Sequence, residues 1–316
     1  MLNTDTVYAA KHKIEDIRMN SRSGGVFSAL TDIILDEGGV IYGCALDENF
    51  MAYHTRATTK DERDKFRGSK YIQSKMGNCY SLCENDLKSG KKVLFSGTPC
   101  QIKALSCYLD AKNTDKTNLI SVDILCHSVA SPKVWKKFLE WKANGRTIEN
   151  VDFRDKKTFG WEDHQETLTI EEKNESSKIF SDLFYSHLMF PKSCYNCHFK
   201  TVDRFSDITL GDYWHIDELD RDFNDNNGVS LVMINTEKGE SLFNKCKKQL
   251  TTKEFPLEKS LQPALKYNYP EPEKRSKFFR DLEKLNFDKI IKKYCERTAL
   301  HIRIAELLFK IKNKVK

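Results

Sequence analysis

The chain has 316 residues, of which 39% are hydrophobic, 14 are glycine and 7 are proline. This composition excludes collagen-like, low-complexity and wholly disordered proteins, and the length predicts one large domain or two smaller ones. No apolar run approaches the roughly 18 residues of a membrane helix, and residues 1–13 lack the pattern of a secretory signal, so we expect a cytoplasmic protein.

The net charge of +6 comes mostly from the C-terminus, because residues 301–316 hold five of the lysines and arginines and a single glutamate. A broad basic face for nucleic acid is therefore not expected. The tail has two interpretations: an amphipathic helix in peripheral contact with an anionic membrane surface, or a helix packed on the protein with a solvated end. Its apolar residues are Ile302, Leu308, Phe309 and Ile311.

Apolar periodicity predicts alternating strands and helices. The expected strands cover residues 7–12, 39–46, 50–57, 93–96, 119–125, 151–155, 166–172, 207–214 and 229–236, with 151–155 and 166–172 antiparallel. The expected helices contain Phe27 to Ile34, begin at the capping box Thr59–Glu62, cover Lys75–Leu87 and 182–190, and dominate from about Leu257 onward.

Residues 93–96 and 119–125 are rich in β-branched and aromatic side chains, and each run leads into a helix. The pairs Thr98–Pro99 and Ser131–Pro132 each supply an N-cap and a first helical residue. Right-handed crossovers make these strands parallel, with their carboxyl ends at the sheet edge where α/β folds bind ligands. We therefore predict an α/β fold with a mixed, largely parallel sheet, flanking helices and a helical C-terminal tail.

Ten cysteines require an explanation, because structural disulfides are rare in a reducing compartment. Cys100 follows the first of the two strands and Cys126 follows the second, so the predicted topology brings both thiols to one edge. Cys194 and Cys197 have a CxxC spacing, which lets two sulfurs reach one ion or cluster. Four thiols from three loops match the ligand count of a [4Fe-4S] cluster or a tetrahedral zinc site.

Other interpretations of these cysteines stay open. Cys100 and Cys126 can be core thiols, since cysteine is often buried. Cys100 can also be a nucleophile or redox thiol, because the first turn of a helix stabilises a thiolate. His127 and His198 leave a mixed Cys/His zinc site open. The remaining thiols are expected in the core or partly exposed: Cys44, Cys79, Cys83, Cys107, Cys246 and Cys295.

Two glycine-containing turns are candidate anion sites. Ser21–Gly25 (SRSGG) precedes a strong helix, where free backbone N–H groups suit a pyrophosphate. Arg67–Tyr71 (RGSKY) offers close approach at Gly68, a positive charge at Lys70 that suits an anionic reduced flavin, and a stacking face at Tyr71. Ordinary capping explains the first turn equally well, and a solvated turn before a buried tyrosine explains the second.

Seven blocks resemble, in order, those of the coenzyme F420 hydrogenase/dehydrogenase beta-subunit family, over about residues 21–279. The blocks are SRSGGVFSAL, RGSKYIQS, VLFSGTPCQIKAL, VDILCHSVASP, FRDKKTFGW, SCYNCHFK and DITLGDYW. That family joins an FAD-binding α/β domain to iron–sulfur ligands and passes electrons between clusters and a hydride acceptor such as a deazaflavin. Many bacterial members sit in polysaccharide biosynthesis loci.

The resemblance implies a [4Fe-4S] cluster held by Cys100, Cys126, Cys194 and Cys197. It implies an oxidoreductase that moves electrons between this cluster, FAD and a hydride-accepting or hydride-donating small molecule, such as a deazaflavin or a polysaccharide-pathway intermediate. A ferredoxin or another redox protein would be the electron partner. The implied flavin contacts, among them Lys70 as the catalytic charge, are Ser23, Gly24, Gly25, Gly68, Ser69, Lys70, Tyr71 and Thr98.

On this basis we expect residues 1–97 to form the N-terminal part of the flavin-binding core and residues 98–260 its C-terminal part with the iron–sulfur ligand loops. Residues 261–316 are the expected helical, basic tail. Longer relatives begin with a ferredoxin-like segment of two CxxCxxCxxxCP runs, whereas the first cysteine here is Cys44, so a member without that segment is expected. The family pattern has glycine at the positions of Ser128 and His215, and these side chains are expected to alter a pocket.

Two rival functions use the same residues. In the first, the four thiols bind zinc and stabilise a non-redox binding or scaffold protein of polysaccharide biosynthesis. In the second, Cys100 is the nucleophile of a thiol enzyme with His127 as its base, which leaves the CxxC pair unexplained.

Overall fold

The computed structural model describes residues 5–295, so the tail around Phe309 lies outside the described residues. The described strands are β1 (Thr6–His12), β2 (Val40–Leu46), β3 (Ala52–Ala57), β4 (Val93–Gly97), β5 (Leu119–Ile124), β6 (Ile148–Asp152), β7 (Glu166–Ile170), β8 (Lys173–Ser177), β9 (Ile208–Asp212), β10 (Ser230–Ile234) and β11 (Leu250–Pro256). The described α-helices are α1 (Glu15–Met19), α2 (Val26–Asp36), α3 (Lys60–Asp64), α4 (Cys79–Lys88), α5 (Pro99–Ala111), α6 (Pro132–Ala143), α7 (Lys156–Phe159), α8 (Ile179–Tyr185), α9 (Ile216–Leu219), α10 (Glu237–Cys246), α11 (Arg275–Lys284) and α12 (Phe287–Tyr294).

Eight strands form one mixed sheet in the order β11-β1-β10-β9-β5-β4-β2-β3. The central strands β2, β4, β5 and β9 pair in parallel, and antiparallel strands complete both ends of the sheet. The predicted α/β class is confirmed, including the parallel pairing of β4 with β5. Strands β6, β7 and β8 form a separate antiparallel sheet, which confirms the predicted pairing of β6 with β7.

Helices cover both faces of the large sheet. Ile41 on β2 points into a core shared with α2 and α10, whereas its neighbour Tyr42 points into a core shared with α4 and α5. Cys79 and Cys83 are buried in the second of these cores, as the sequence predicts. Strands that are apolar on both faces are typical of a parallel sheet between helical layers.

A third core joins the small sheet to the C-terminal helices. Trp135 of α6 stacks on Phe153 with ring centroids 4.4 Å apart and meets Phe180 of α8 edge-on at 4.7 Å. Phe287 of α12 belongs to the same core, as does Ala52 of β3. The small sheet is therefore held against the β3 edge of the large one.

Two helix boundaries differ from the prediction. The helix expected from Lys75 begins at Cys79, because Lys75 exchanges backbone hydrogen bonds with Ala52 and His54 of β3. The helix expected over 182–190 ends at Tyr185.

The segment from Leu257 to Arg275 is not the amphipathic helix that the sequence predicts. It contains two 3-10 turns, Leu257–Ser260 and Pro263–Leu265, and the first α-helix after them is α11. Prolines at 263, 270 and 272 explain the difference, since each lacks the N–H that a helix interior requires.

Strand β1 lies between β11 and β10, so residues 1–97 and 98–260 both contribute strands to one sheet. The division at residue 97 stays a prediction. Within residues 5–295, no helix combines the length and the apolar character needed to cross a membrane.

His215 stands in the left-handed region, with φ 63°, where the family pattern has glycine. Its side chain is largely exposed, and its Nδ1 lies 3.1 Å from Oε1 of Glu218, which is an ion pair only when the imidazole is protonated. A non-glycine residue in this region costs about 1 kcal/mol or more, whereas an exposed ion pair contributes little.

We therefore expect His215→Gly to raise the free energy of unfolding by about 0.5–1 kcal/mol, after allowance for the greater freedom of glycine in the unfolded chain. Urea denaturation followed by circular dichroism measures the change. His198→Gly, at an exposed position without positive φ, is the control and should be neutral or destabilising. A destabilised His215→Gly would contradict the backbone argument.

Candidate functional site

Three chain segments bring cysteines to one edge of the large sheet. Gly97, at the end of β4, pairs with Asp123 of β5, so the two parallel strands end side by side. Cys100 follows in the first turn of α5, and Cys126 follows β5. The third segment, which contains Cys194 and Cys197, reaches the same edge between α8 and β9.

The four thiols are close enough to influence one another electrostatically. Burial raises the pKa of Cys126 to about 12, and the thiols of Cys100, Cys194 and Cys197 contribute to the rise. The pKa of Cys194 is raised in the same way, first by burial and then by its cysteine neighbours. Lys200 opposes the rise at Cys126, because an ammonium group nearby favours a thiolate. The structure thus brings together all four predicted ligands, and their role as ligands stays a prediction.

The thiols are not arranged as a finished metal cage. Within residues 5–295, no three His, Cys, Asp or Glu side chains have the spacing that holds one metal ion. Cys100 Sγ is instead hydrogen-bonded to Thr98 Oγ1 at 3.1 Å, and Cys194 interacts with Ser128. All ten cysteines are free thiols. Four thiols beside an ammonium group match the donor chemistry of an iron–sulfur cluster or of zinc.

A buried ion pair attaches the CxxC segment to the sheet. Arg204 Nη2 donates to Asp123 Oδ2 at 2.7 Å, and both side chains are almost completely buried. The same guanidinium donates to the backbone oxygens of Phe199 and Thr201 at 3.0 and 3.2 Å. Burial raises the pKa of Asp123, and Arg204 opposes that rise. Because Asp123 lies three residues before Cys126, the pair sets the position of two thiol segments relative to each other.

Further hydrogen bonds hold the same segment. Asn268 accepts from the Cys197 N–H at 3.2 Å and donates to the Cys197 oxygen at 3.1 Å. Lys200 Nζ donates to the backbone oxygen of His127 at 2.9 Å. The thiol site is therefore built by side chains outside the CxxC motif.

The two histidines that follow cysteines have different surroundings. His198 is exposed. His127 packs among aromatic rings, with the ring of Tyr269 4.6 Å away, and burial lowers its pKa to about 3. The protonated form of His127 that would stabilise a Cys100 thiolate is therefore disfavoured, which weakens the thiol-enzyme interpretation.

The two predicted anion turns line one cavity of about 330 Å³. This volume is at the lower end of the range for small-molecule sites. The turns contribute Ser21, Arg22, Gly68 and Ser69. The small sheet contributes the polar residues Asn150, Asp152, Thr167, Thr169 and Asn174, and the segment between them contributes Arg154, Asp155, Lys156, Lys157 and Thr158.

Three of the predicted flavin contacts serve the packing of the backbone and are not among the cavity-lining residues. Ser23 Oγ donates to the oxygen of Val229 at 2.7 Å, and the Gly24 N–H donates to Ser230 Oγ at 2.9 Å. A side chain at Gly24 would collide with β1, because its Cβ would lie 2.1 Å from a backbone oxygen of that strand. Gly25 has φ 87° and precedes α2. The glycines thus let the turn approach the sheet closely.

Lys70 is turned toward its own loop. Its Nζ donates to the backbone oxygens of Lys65, Arg67 and Gly68 at 3.0, 2.7 and 3.2 Å. Burial lowers the pKa of Lys70 to about 8. The ammonium group therefore holds the turn that carries Gly68 and Ser69, and its catalytic role stays a prediction.

The other two predicted flavin contacts, Tyr71 and Thr98, have different partners. The Tyr71 hydroxyl accepts from Arg154 Nη1 at 3.2 Å, so Tyr71 contacts a residue that lines the cavity. Thr98 is the N-cap of α5 and contacts Cys100.

Two buried arginines at the cavity were not predicted from the sequence. Arg154 donates to Asp212 Oδ2 at 3.1 Å, and Arg22 donates to the Trp161 oxygen at 2.5 Å. The buried Nε of each arginine has no hydrogen-bond partner among the described residues. Both arginines pair with Asp212, and Asp152 and Asp155 also line the cavity, so the cations Arg22, Arg154, Lys156 and Lys157 exceed these three carboxylates by one. The FRDKKTFGW and DITLGDYW blocks were the signal available in the sequence, since they contain Arg154, Trp161 and Asp212.

Comparison with family models identifies the family of this chain. A family model for the C terminus of the coenzyme F420 hydrogenase/dehydrogenase beta subunit matches residues 90–259, and the corresponding N-terminal model matches residues 7–79. The chain belongs to the coenzyme F420 hydrogenase/dehydrogenase beta-subunit family. The family is one of oxidoreductases, and this protein therefore has a redox role.

A solved structure has the same fold as this protein. It is a chain of the F420-reducing [NiFe] hydrogenase complex from Methanosarcina barkeri, with a TM-score of 0.56 and 21% sequence identity, and the match covers 95% of this chain and 94% of that chain. No curated protein matches the sequence.

The buried ion pair between Asp123 and Arg204 gives a stability prediction. Asp123→Asn leaves the Arg204 guanidinium buried without its counterion, and we expect a loss of about 3–5 kcal/mol in the free energy of unfolding. Urea denaturation measures the loss, and reaction of the folded protein with Ellman's reagent should show faster modification of Cys194 and Cys197. Glu175→Gln breaks the more exposed pair with Arg146 and should cost less than about 1 kcal/mol. Equal losses in the two variants would contradict the role assigned to Asp123.

Proposed function

We propose that the protein is a flavin- and iron–sulfur-dependent oxidoreductase. It moves electrons between a [4Fe-4S] cluster, FAD and a small molecule that accepts or donates hydride. The observation that carries this proposal is the convergence of four thiols from three separate segments at the carboxyl edge of β4 and β5. Membership of an oxidoreductase family supports a redox use of this set.

In this proposal Cys100, Cys126, Cys194 and Cys197 are the cluster ligands. Such a cluster supplies one-electron transfer, and a flavin supplies the conversion between single electrons and hydride. Lys200 favours the thiolate form of Cys126, as metal binding requires. Arg204 keeps the CxxC segment in place through the backbone oxygens of Phe199 and Thr201.

The cavity between the two turns is the proposed place of the flavin nucleotide. Arg22, Arg154 and Lys157 supply positive charge for its phosphates, and Gly68 and Ser69 let the chain approach it closely. The remaining flavin contacts implied by the family resemblance, among them Lys70 as the charge that neutralises the reduced ring, keep that role within the proposal.

The substrate in this proposal is a deazaflavin or a polysaccharide-pathway intermediate. The first choice is supported by the F420-reducing complex to which the fold is similar. The protein would act in the cytoplasm with a ferredoxin or a similar protein as its electron partner. A zinc-stabilised scaffold is the alternative function, because the same four thiols match a tetrahedral zinc site equally well.

Metal analysis separates these two functions. We expect anaerobically purified protein to contain iron, acid-labile sulfide and FAD, and Cys194→Ser to lose most of the iron and the visible absorption. Cys79→Ser, in the core between α4 and the sheet, is the matched control and should keep the iron. If the protein is colourless and contains one equivalent of zinc, and Cys194→Ser loses that zinc, the scaffold function is favoured and the oxidoreductase function is contradicted.

A separate prediction concerns the cavity. Lys157 is exposed at the cavity and donates to Asn20 Oδ1 at 2.6 Å, whereas Lys156 is occupied by three backbone oxygens. We expect Lys157→Glu to weaken FAD binding about tenfold, because it places a negative charge beside the nucleotide phosphates. Quenching of flavin fluorescence on titration of flavin-free protein measures the affinity. Lys292→Glu, on α12 and not among the cavity-lining residues, should leave the affinity for FAD unchanged. Equal affinities in the two variants would show that FAD does not bind in this cavity.

A further inference from the structure

Several exposed apolar side chains lie close in the chain to the four thiols or to the residues that contact them. Seven large hydrophobic side chains are exposed within residues 5–295, and four of them belong to the segments that carry or contact the thiols. These four are Ile124, Val202, Phe205 and Tyr267, with exposed fractions of 45%, 39%, 50% and 52%. We call them, together with Phe199, Lys103 and Lys200, the thiol patch.

Contacts between side chains connect much of the thiol patch. Lys103 Nζ, on α5 one turn after Cys100, lies 4.3 Å from the ring centroid of Phe205. The rings of Phe205 and Phe199 are 6.0 Å apart. Phe199 precedes Lys200, whose Nζ lies 4.4 Å from the ring of Tyr269, and that ring is 6.1 Å from Tyr267. The contacts run from the Cys100 helix across the CxxC segment to the segment that binds Cys197.

The patch is also held in place. Arg204 is buried between Val202 and Phe205 in the sequence, and its hydrogen bonds to the oxygens of Phe199 and Thr201 attach this stretch to Asp123. An exposed aromatic side chain on a fixed backbone loses little conformational entropy on binding, which is the property of interface residues that dominate affinity. Cys100 is itself exposed beside the patch.

The charge around the patch is mainly positive. The segments 98–104, 192–205 and 266–269 contain the lysines 103, 192, 200 and 266, each exposed or half-buried, and Asp203 is their only carboxylate. Apolar side chains on segments rich in lysine are complementary to a partner whose own apolar contact is accompanied by carboxylates. Small interfaces of this kind are typical of transient electron-transfer encounters.

We propose that the thiol patch is the docking surface for a small, strongly acidic iron–sulfur protein of the ferredoxin type. This inference rests on the proposed function, which places the redox centre at the thiols beneath the patch. Phe205 supplies the apolar contact, and Lys103 and Lys200 steer the acidic partner.

The test uses iron-loaded holoprotein and a purified, strongly acidic two-cluster bacterial ferredoxin as the probe. We expect saturable binding by isothermal titration calorimetry at low ionic strength, and an affinity that falls steeply with added salt. Phe205→Ala and Lys103→Glu should each weaken binding about tenfold or more. Carbodiimide cross-linking should join ferredoxin carboxylates to Lys103 or Lys200.

Two matched controls lie elsewhere on the surface. Leu82→Ala removes another exposed apolar side chain, on α4, and Lys136→Glu reverses an exposed charge on α6. Both should bind the ferredoxin like the unmodified protein. Iron and FAD contents are measured first in every variant, so that loss of the cofactors is distinguished from loss of docking.

Several results would overturn the docking surface. Iron-loaded protein could fail to bind ferredoxin, or the patch variants and the control variants could weaken binding equally. The chain could instead self-associate through the patch, with Phe205→Ala abolishing the association. The patch could also bind phosphatidylglycerol vesicles in place of ferredoxin. Protein that contains no iron or acid-labile sulfide after anaerobic purification, and still binds ferredoxin through the patch, would contradict the proposed function and leave the docking surface intact.

Discussion

The buried ion pair between Asp123 and Arg204 is the interaction on which the thiol site depends. Asp123 belongs to β5, in the centre of the sheet, whereas Arg204 belongs to a segment with little regular structure. A guanidinium removed from water needs a carboxylate and further acceptors, so the pair recruits the oxygens of Phe199 and Thr201 as well. This demand for acceptors draws the irregular segment onto the sheet edge, next to Cys126.

Much of the fold could be predicted from local patterns. The parallel strands β4 and β5 are short apolar runs followed by helix starts, and both signals depend on neighbouring residues alone. Strand β8 was missed because its residues, Lys173–Ser177, are polar and pair only at the edge of the small sheet. Strand β11 was missed for a similar reason, since four of its seven residues are exposed and its place is decided by pairing with β1.

The candidate site was predictable where one residue type limits the chemistry. Few uses exist for a CxxC pair, and the order of strands predicted which other thiols would meet it. The arginines at the cavity carried no such restriction, because a surface arginine and a buried one look the same in a sequence. Arg22 stood inside a turn selected for its glycines, and only the fold shows that the guanidinium lines the cavity while Gly24 packs on β1.

The position of β1 has a consequence for how the protein is made. This strand precedes its two partners in the sheet, β10 and β11, by more than 200 residues. The backbone groups of β1 therefore gain their sheet hydrogen bonds only after more than 200 further residues have been synthesised. Folding of the large sheet is expected to finish only after synthesis of residue 256, as is typical of folds with distant strand pairs.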